Sequence, residues 1–546
     1  MGGQASPTAA PGPGRPMSTG ADPALVRAAV GRAAGGAGPG DIEIRETHIS
    51  WLFLAGDRVY KLKKPIVLDF LDYGTPERRR IMCEEEIRLN SRLAPGVYVT
   101  VRGLAARDDG LDIVAEDDPA AVDYVVEMRR YDEDRTLAAL VARGQVDDRQ
   151  LHDVGTALAG FHRTCAPSSR LDGGAAARHE IHDNLAELSD LLPDRRSPLG
   201  ELARFLDAFV LAHAPMLDAR SASGHVREGH GDLRAEHIIL GAKPSFVDCV
   251  EFDRLLRTVD VADDLAFLVM DLCARGAEPL ARRVIDAYRA AGGDCGPDEL
   301  VWFYATHRAL VRAKVALLRA AQHDGARAAG AAVPQAADEL LAVADHSAWR
   351  ARGLMALVIC GAPASGKSQL AAMVAARFAV PVISSDVVRK QLVGLHPTQR
   401  APTGLYDTEV NRRTYGELGR QAARATANGQ SIVVDATCRH RVDRDALMER
   451  LSDATRVWFV ECVAPAEVRI ARAAAREHDP ARVSDATAEL VRDEHDAFEP
   501  LDEIAPDRHL ALRSDRRTSG VLADLLALLA ARLADAGDDR SSRSQV

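Results

Sequence analysis

Apolar positions change their period along the chain, and the changes mark its elements. Ile49-Ser50-Trp51-Leu52-Phe53-Leu54, a turn at Gly56-Asp57, and Arg58-Val59-Tyr60-Lys61-Leu62-Lys63 predict a β-hairpin. Ile81, Glu85, Leu89 and Leu93 recur at helical spacing and predict a helix over Pro76–Leu93. Val122–Met128 reads as another strand, and residues 137–165, 180–219 and 260–348 are mostly helical. Between the last two helical stretches lie a short β segment at Ile238–Leu240, a Gly-Ala-Lys-Pro turn and a return over Ser245–Asp248. After Arg352 the pattern changes. Leu354–Cys360 is continuously apolar, as strands buried on both faces are. Further strands at Pro381–Ser385, Ser431–Asp435 and Arg456–Val463 alternate with helical stretches, so this half is an α/β domain with a doubly wound parallel sheet. Residues 1–22 and 536–546 have nothing to bury and predict disordered tails, which leaves domains over 41–348 and 353–535. No internal repeat of 20–50 residues is visible.

Composition narrows the class without naming it. A chain of 546 residues, at ~150 per domain, has room for about three folding units, and 47% hydrophobic with 27% charged residues is ordinary for a globular protein. The net charge of −11 argues against a general nucleic-acid coat, which needs a positive field. Eight dispersed cysteines contain no C-x-x-C pair, so neither a zinc site nor a disulfide framework is indicated, and reduced cytoplasm is the default compartment. No apolar run reaches the ~18 residues of a membrane span. Met1-Gly2-Gly3-Gln4-Ala5-Ser6 fits an N-myristoylation pattern by letter, but no polybasic second anchor follows. Only seven of the 69 basic residues are lysines, so a lysine marks a place where a compact ammonium is wanted. Three stand at 61–64 and one at 367.

Gly361-Ala362-Pro363-Ala364-Ser365-Gly366-Lys367-Ser368 matches G-x-x-x-x-G-K-[ST], after a buried strand and before a helix. Such a loop turns backbone N–H groups toward phosphate oxygens at a helix N-terminus. Lys367 is then the cation for the β- and γ-phosphates of ATP, and the Ser368 hydroxyl a ligand for Mg²⁺. Asp386, at the end of the second strand, suits a base that takes a proton from an attacking hydroxyl; Arg389, three residues on, suits an anionic group of the substrate. Asp435 ends a third strand and suits a carboxylate holding a metal-bound water. Arg469, Arg472 and Arg476 share one helical face, with Arg482 beyond, and predict a lid over the triphosphate. A solvated arginine face and, for Asp386, a helix N-cap are the structural alternatives.

These residues, with Asp435-Ala436-Thr437 and Ser484-Asp485-Ala486, resemble the small P-loop kinases grouped as AAA-33, which are related to polynucleotide kinase, gluconate kinase and zeta toxins. The resemblance covers about 353–510 and implies phosphoryl transfer from ATP to a hydroxyl without naming the acceptor.

His230-Gly231-Asp232-Leu233-Arg234-Ala235-Glu236-His237, before a hairpin whose return strand carries Asp248, resembles the catalytic loop of aminoglycoside phosphotransferases and their protein-kinase-like relatives. The resemblance implies a two-lobed α+β fold, Asp232 as the residue orienting and deprotonating an acceptor hydroxyl, and metal ligation by Asp248 and by the residue five after Asp232. That residue is usually Asn and is His237 here; a neutral imidazole prefers softer ions than Mg²⁺. The resemblance further implies a Lys61–Glu86 ion pair, with Lys63 and Glu85 open as one-residue alternatives, and adenine contacts from the strand ending at Met128. Asp263 and Asp264 follow the metal segment and suit either a cationic substrate or a helix cap.

Together the two constellations resemble bacterial fusions of an aminoglycoside-phosphotransferase-like domain with an AAA-33 kinase. They imply an ATP- and Mg²⁺-dependent kinase acting on a small hydroxylated substrate, with no membrane partner. Three other readings stay open: a catalytically degenerate, ligand-binding front domain that regulates a single P-loop kinase; a nucleotide-gated interaction protein that passes phosphate slowly to water; and nucleic-acid end repair. The acceptors, the oligomeric state and the communication between domains have no sequence signal.

Overall fold

The computed structural model describes residues 20–35, 41–68, 71–108, 110–168, 173–323, 333–399, 407–451, 456–476, 487–493 and 498–543. The expectations for residues 1–19, for Arg482 and for Ser484–Ala486 lie outside these ranges. The chain divides into two compact units, Met1–Ser169 with Ser223–Cys295, and Arg170–Ala222 with Gly296–Val546.

The front unit carries a six-stranded antiparallel sheet of β1 (Glu43–Glu46), β2 (Ser50–Ala55), β3 (Arg58–Lys63), β4 (Tyr98–Arg107), β5 (Gly110–Val114) and β6 (Ala121–Arg129), in the order β1-β2-β3-β6-β4-β5. The hairpin is present, with Ala55 facing Arg58 across the turn, and β3 pairs Lys61 with Val126 of β6. β4 and β5 have no counterpart in the expected elements. Thr75 caps the Pro76–Asn90 helix and Pro76 opens it. The stripe through Ile81 faces inward only in part: its Leu89 is buried but Ile81 is exposed, and the rest of the inner face is Arg79, Cys83, Glu86 and Asn90. Polar pairing replaces apolar burial there, as Arg79 forks the Asp123 carboxylate at 2.8 and 2.9 Å. The short hairpin of β7 (Ile238–Leu240) and β8 (Pro244–Phe246) follows the His230–His237 segment.

In the rear unit, β9 (Met355–Cys360), β10 (Val382–Ser384), β11 (Ile432–Asp435), β12 (Arg456–Val463) and β13 (His509–Arg513) form one parallel sheet in the order β10-β11-β9-β12-β13. The apolar run of β9 is buried throughout because a core packs on each face of the sheet, one around Leu357 and Ile359 and the other around Val358 and Val434. The strand order reverses beside β9, and in open α/β sheets ligands bind outside the carboxyl ends of the strands at such a switch point. This unit also takes in the helices Gly173–Leu191, Arg196–Ala222, Asp298–His323 and Gln335–Ala351. Arg377, in the last turn of the helix that follows the glycine-rich loop, reaches them, donating to Asp345 at 3.0 and 2.7 Å and to Glu201 at 2.5 Å. The final helix runs Thr518–Arg543, through residues whose polar composition predicts a tail.

All eight cysteines are free thiols. Among the described residues no helix is long and apolar enough to cross a membrane.

Candidate active sites

The rear site begins where β9 runs out. Gly361 has φ 128°, and a Cβ there would stand 2.5 Å from the Cys462 carbonyl oxygen, so only glycine fits against β12. Gly366, also left-handed, opens the Lys367–Phe378 helix, so the loop from Ala362 to Ser365 lies over a helix N-terminus. Lys367 donates to the Ala362 carbonyl at 3.2 Å, and the Ser368 hydroxyl donates to Asp435. Burial pushes the Asp435 carboxyl up, against the pull of Lys367 and Ser368, with Asp386 adding to the rise. An ammonium, a hydroxyl and two carboxylates therefore face one another at the mouth of the loop. This set fits a triphosphate and its Mg²⁺, with Ser368 and Asp435 as the oxygen donors.

Asp386 lies in the first turn of the Ser385–Leu392 helix and receives Arg389 Nη1 at 3.1 Å; the other arm of Arg389 donates to Asn411 at 3.2 Å. The Arg389 side chain is only 6% exposed, so it holds Asp386 in place from within the wall. Arg472 donates to the carbonyls of Ser365 at 3.2 Å and Ser514 at 2.6 Å, tying the glycine-rich loop to the end of β13. Arg472 and Arg476 line the cleft, whereas Arg469 is buried. The cleft, about 470 Å³, runs from Lys367 and Ser368 past Asp386 and Asp435 to Asn411, Tyr415, Arg439, His440 and Asp443. This far wall was not anticipated from the residues. Arg439-His440 directly after the Asp435 strand was the available signal; Asn411 offered none.

In the front unit, the pairing that spacing leaves open falls on Glu86, with both lysines. Lys61 donates to Glu86 Oε1 at 2.8 Å and to Asp248 Oδ1 at 2.9 Å; Lys63 donates to Glu86 Oε2 at 2.7 Å and to Glu251 Oε1 at 2.5 Å. Tyr73 donates to the same Glu251 oxygen at 2.7 Å. Glu85 turns outward to Arg88 and Arg257. Burial works against both ammonium groups, but the carboxylates around them outweigh it and raise them well above the usual lysine range. Asp248 has φ 63°, its N–H donating to Tyr98 Oη at 3.0 Å, and its carboxylate is half exposed. Burial pushes that carboxyl up, yet Lys61 above all, with Arg234, holds it below the usual range. An ionised, half-open carboxylate fits a divalent cation. Met128 stands on β6 between Val59 and Tyr98.

Asp264 does neither of the things its position suggests. Its carboxylate accepts from the backbone N–H of His230 at 2.7 Å and of Gly231 at 2.9 Å, and touches His162 Nε2 at 3.1 Å. It is the anchor of the Asp232 loop. Burial raises its carboxyl, but these donors prevail and hold it below the usual range. Asp271 adds a third bond to the loop, accepting from Ala235 N–H at 2.8 Å. Asp232 itself is forked by Arg234, whose Nε and Nη2 donate to its oxygens at 3.0 and 2.9 Å. His237 does not fit a metal ligand: Nδ1 meets the Asp232 carbonyl at 2.9 Å and Nε2 meets Arg234 Nη2 at 3.1 Å, so both ring nitrogens are engaged.

The phosphotransferase enzyme family model (APH) matches residues 58–299, and the AAA domain model AAA_33 matches residues 357–501. The uncharacterized protein Rv2004c of Mycobacterium tuberculosis is 35% identical over 463 residues, covering 82% of this chain and 89% of that protein; Mb2027c of Mycobacterium bovis matches equally. Among solved structures, a choline/ethanolamine kinase family protein from Mesorhizobium loti aligns over 60% of this chain and 92% of its own, at 16% identity and a TM-score of 0.32. A gluconokinase from Sinorhizobium meliloti aligns over 35% and 97%, at 19% identity and a TM-score of 0.25.

Proposed function

We propose, for a chain that belongs to one family with these mycobacterial proteins and joins a phosphotransferase (APH) domain to an AAA_33 domain, that it is an ATP-dependent kinase with a nucleotide site in each half. Its acceptors are small hydroxylated molecules. The observation that carries the reading is the convergence of Lys367, Ser368, Asp435 and Asp386 at the mouth of the glycine-rich loop.

In the rear site the loop N–H groups and Lys367 hold the β- and γ-phosphates, and Arg472 keeps the loop in shape through the Ser365 carbonyl. Ser368 and Asp435 would hold a magnesium ion, which would supply neutralising charge to the phosphate oxygens. The Asp386 carboxylate takes the proton of the acceptor hydroxyl as that oxygen attacks the γ-phosphorus, the bond to the ADP oxygen breaks, and ADP departs. Arg389 fixes the carboxylate for that transfer. In the front unit Lys61 is the phosphate cation, Glu86 its anchor, and Asp232 the group facing the acceptor hydroxyl.

The test is phosphorylation of a metabolite pool by the full chain, with Lys367→Ala and Asp232→Asn separately and together. Each single variant removes one set of phosphorylated products. Undiminished ATP consumption by the double variant overturns both assignments, and inorganic phosphate as the sole product returns the chain to a slow ATPase.

A further inference from the structure

We propose that the front site takes its nucleotide with one divalent cation, on Asp248, and that the Arg234 guanidinium supplies the second positive charge beside the transferring phosphate. The inference rests on the reading of the front unit as a nucleotide site, and it assigns Arg234 a catalytic role there.

Hydrogen-bond logic around His237 carries it. A backbone carbonyl only accepts and a guanidinium only donates. The Asp232 carbonyl at 2.9 Å from Nδ1 therefore requires a proton on Nδ1, and Arg234 Nη2 at 3.1 Å from Nε2 requires the Nε2 lone pair. This fixes a neutral ring whose single lone pair is spent on Arg234, leaving nothing for a metal. The ring is 8% exposed, and stacks against His230 with centroids 6.1 Å apart, so it has little room to turn.

Arg234 fills the place this leaves. Its guanidinium donates to Asp232 with Nε and Nη2, to Glu236 with Nη1, and to His237, on a side chain 13% exposed. Asp248 Oδ2 lies 3.7 Å from His237 Nε2, so the Arg234 charge stands one imidazole away from the carboxylate that fits an ion. A guanidinium stays charged at every physiological pH, and it neither dissociates nor requires coordination geometry. It also opposes a second dication between Asp232 and Asp248 by charge repulsion. A triphosphate entering there meets Lys61 and Arg234 as fixed cations and needs a single mobile one.

The experiment counts ions. The full chain carrying Lys367→Ala and Ser368→Ala, which disables the rear site, is titrated with Mn²⁺ with and without a non-hydrolysable ATP analogue, and nucleotide-dependent Mn²⁺ is read by electron paramagnetic resonance. The expected result is one Mn²⁺ per bound analogue, retained on adding Arg234→Lys, and two on adding Arg234→Ala with His237→Asn. Two ions before Arg234 is altered, or one ion after both residues are replaced, overturns the proposal and leaves the nucleotide-site reading intact. If the rear-disabled chain binds no analogue at any Mn²⁺ concentration, the nucleotide-site reading itself falls and takes this one with it.

Discussion

Lys63 donates to Glu86 at 2.7 Å with both side chains wholly out of contact with water. The same glutamate carries Lys61 on its other oxygen, so one buried carboxylate sets the position of two ammonium groups, one facing the site and one behind it.

Lys63→Met removes the rear cation and leaves Glu86 and Glu251 sharing buried negative charge. The expected cost is about 3–5 kcal/mol, the range for breaking a buried ion pair from one side. Urea unfolding followed by a front-unit probe shows it as a lower midpoint, while nucleotide binding at the rear site stays unchanged.

Asp386→Asn keeps the shape of the rear cleft and removes the proposed proton acceptor. The expected loss is about 10²–10⁴-fold in kcat, the usual weight of a general base, with the nucleotide Kd unaltered. Lys367→Ala does the reverse, weakening the nucleotide first. Calorimetric titration beside steady-state kinetics separates the two.

Asp264 is held below the usual carboxylate range by the N–H groups of His230 and Gly231 and by His162. A carboxyl whose folded-state value is depressed contributes stability that is whole above its unfolded value, about 3.9, and is lost as pH falls toward the folded value. The front unit therefore loses stability as pH drops below about 4. Asp264→Asn lowers stability at pH 7 and flattens that acid limb, which unfolding midpoints measured at several pH values between 2 and 7 reveal.

Arg377 joins the helix behind the glycine-rich loop to Asp345 and Glu201. Arg377→Met, which leaves two carboxylates facing each other, destabilises the rear unit by about 3 kcal/mol. A fragment beginning at residue 353 lacks both partners and exposes the apolar face around Phe378 that Trp349 covers in the full chain. It is expected to be insoluble or to show no cooperative melting by circular dichroism.

Much of the chemistry was legible in the residues. The glycine-rich loop is written in eight consecutive positions, and its flanking strand and helix are written in the adjoining twenty; Gly361 and Gly366 adopt backbone angles that almost no other residue tolerates. The β2–β3 hairpin, the parallel strands through Val463 and the His230–Asp232 loop are local in the same sense. Each depends on period, turn chemistry and neighbours within a few residues, which the order of amino acids carries directly.

What folding alone decided lies in contacts between distant positions. β13 is a short edge strand whose alternation is too weak to announce itself, and only its pairing with β12 defines it. Glu86 rather than Glu85 faces the lysines because of how the Pro76–Asn90 helix is rotated against the sheet. Asp264 anchors a loop more than thirty positions before it, and His237 spends its lone pair on Arg234. The helices of 173–222 and 298–351 pack in the rear unit. A side chain's role is set by the donors and charges that surround it in space. These arrive from segments far apart in the chain, so no local pattern specifies them, whereas a loop that needs only its own backbone angles is specified where it stands.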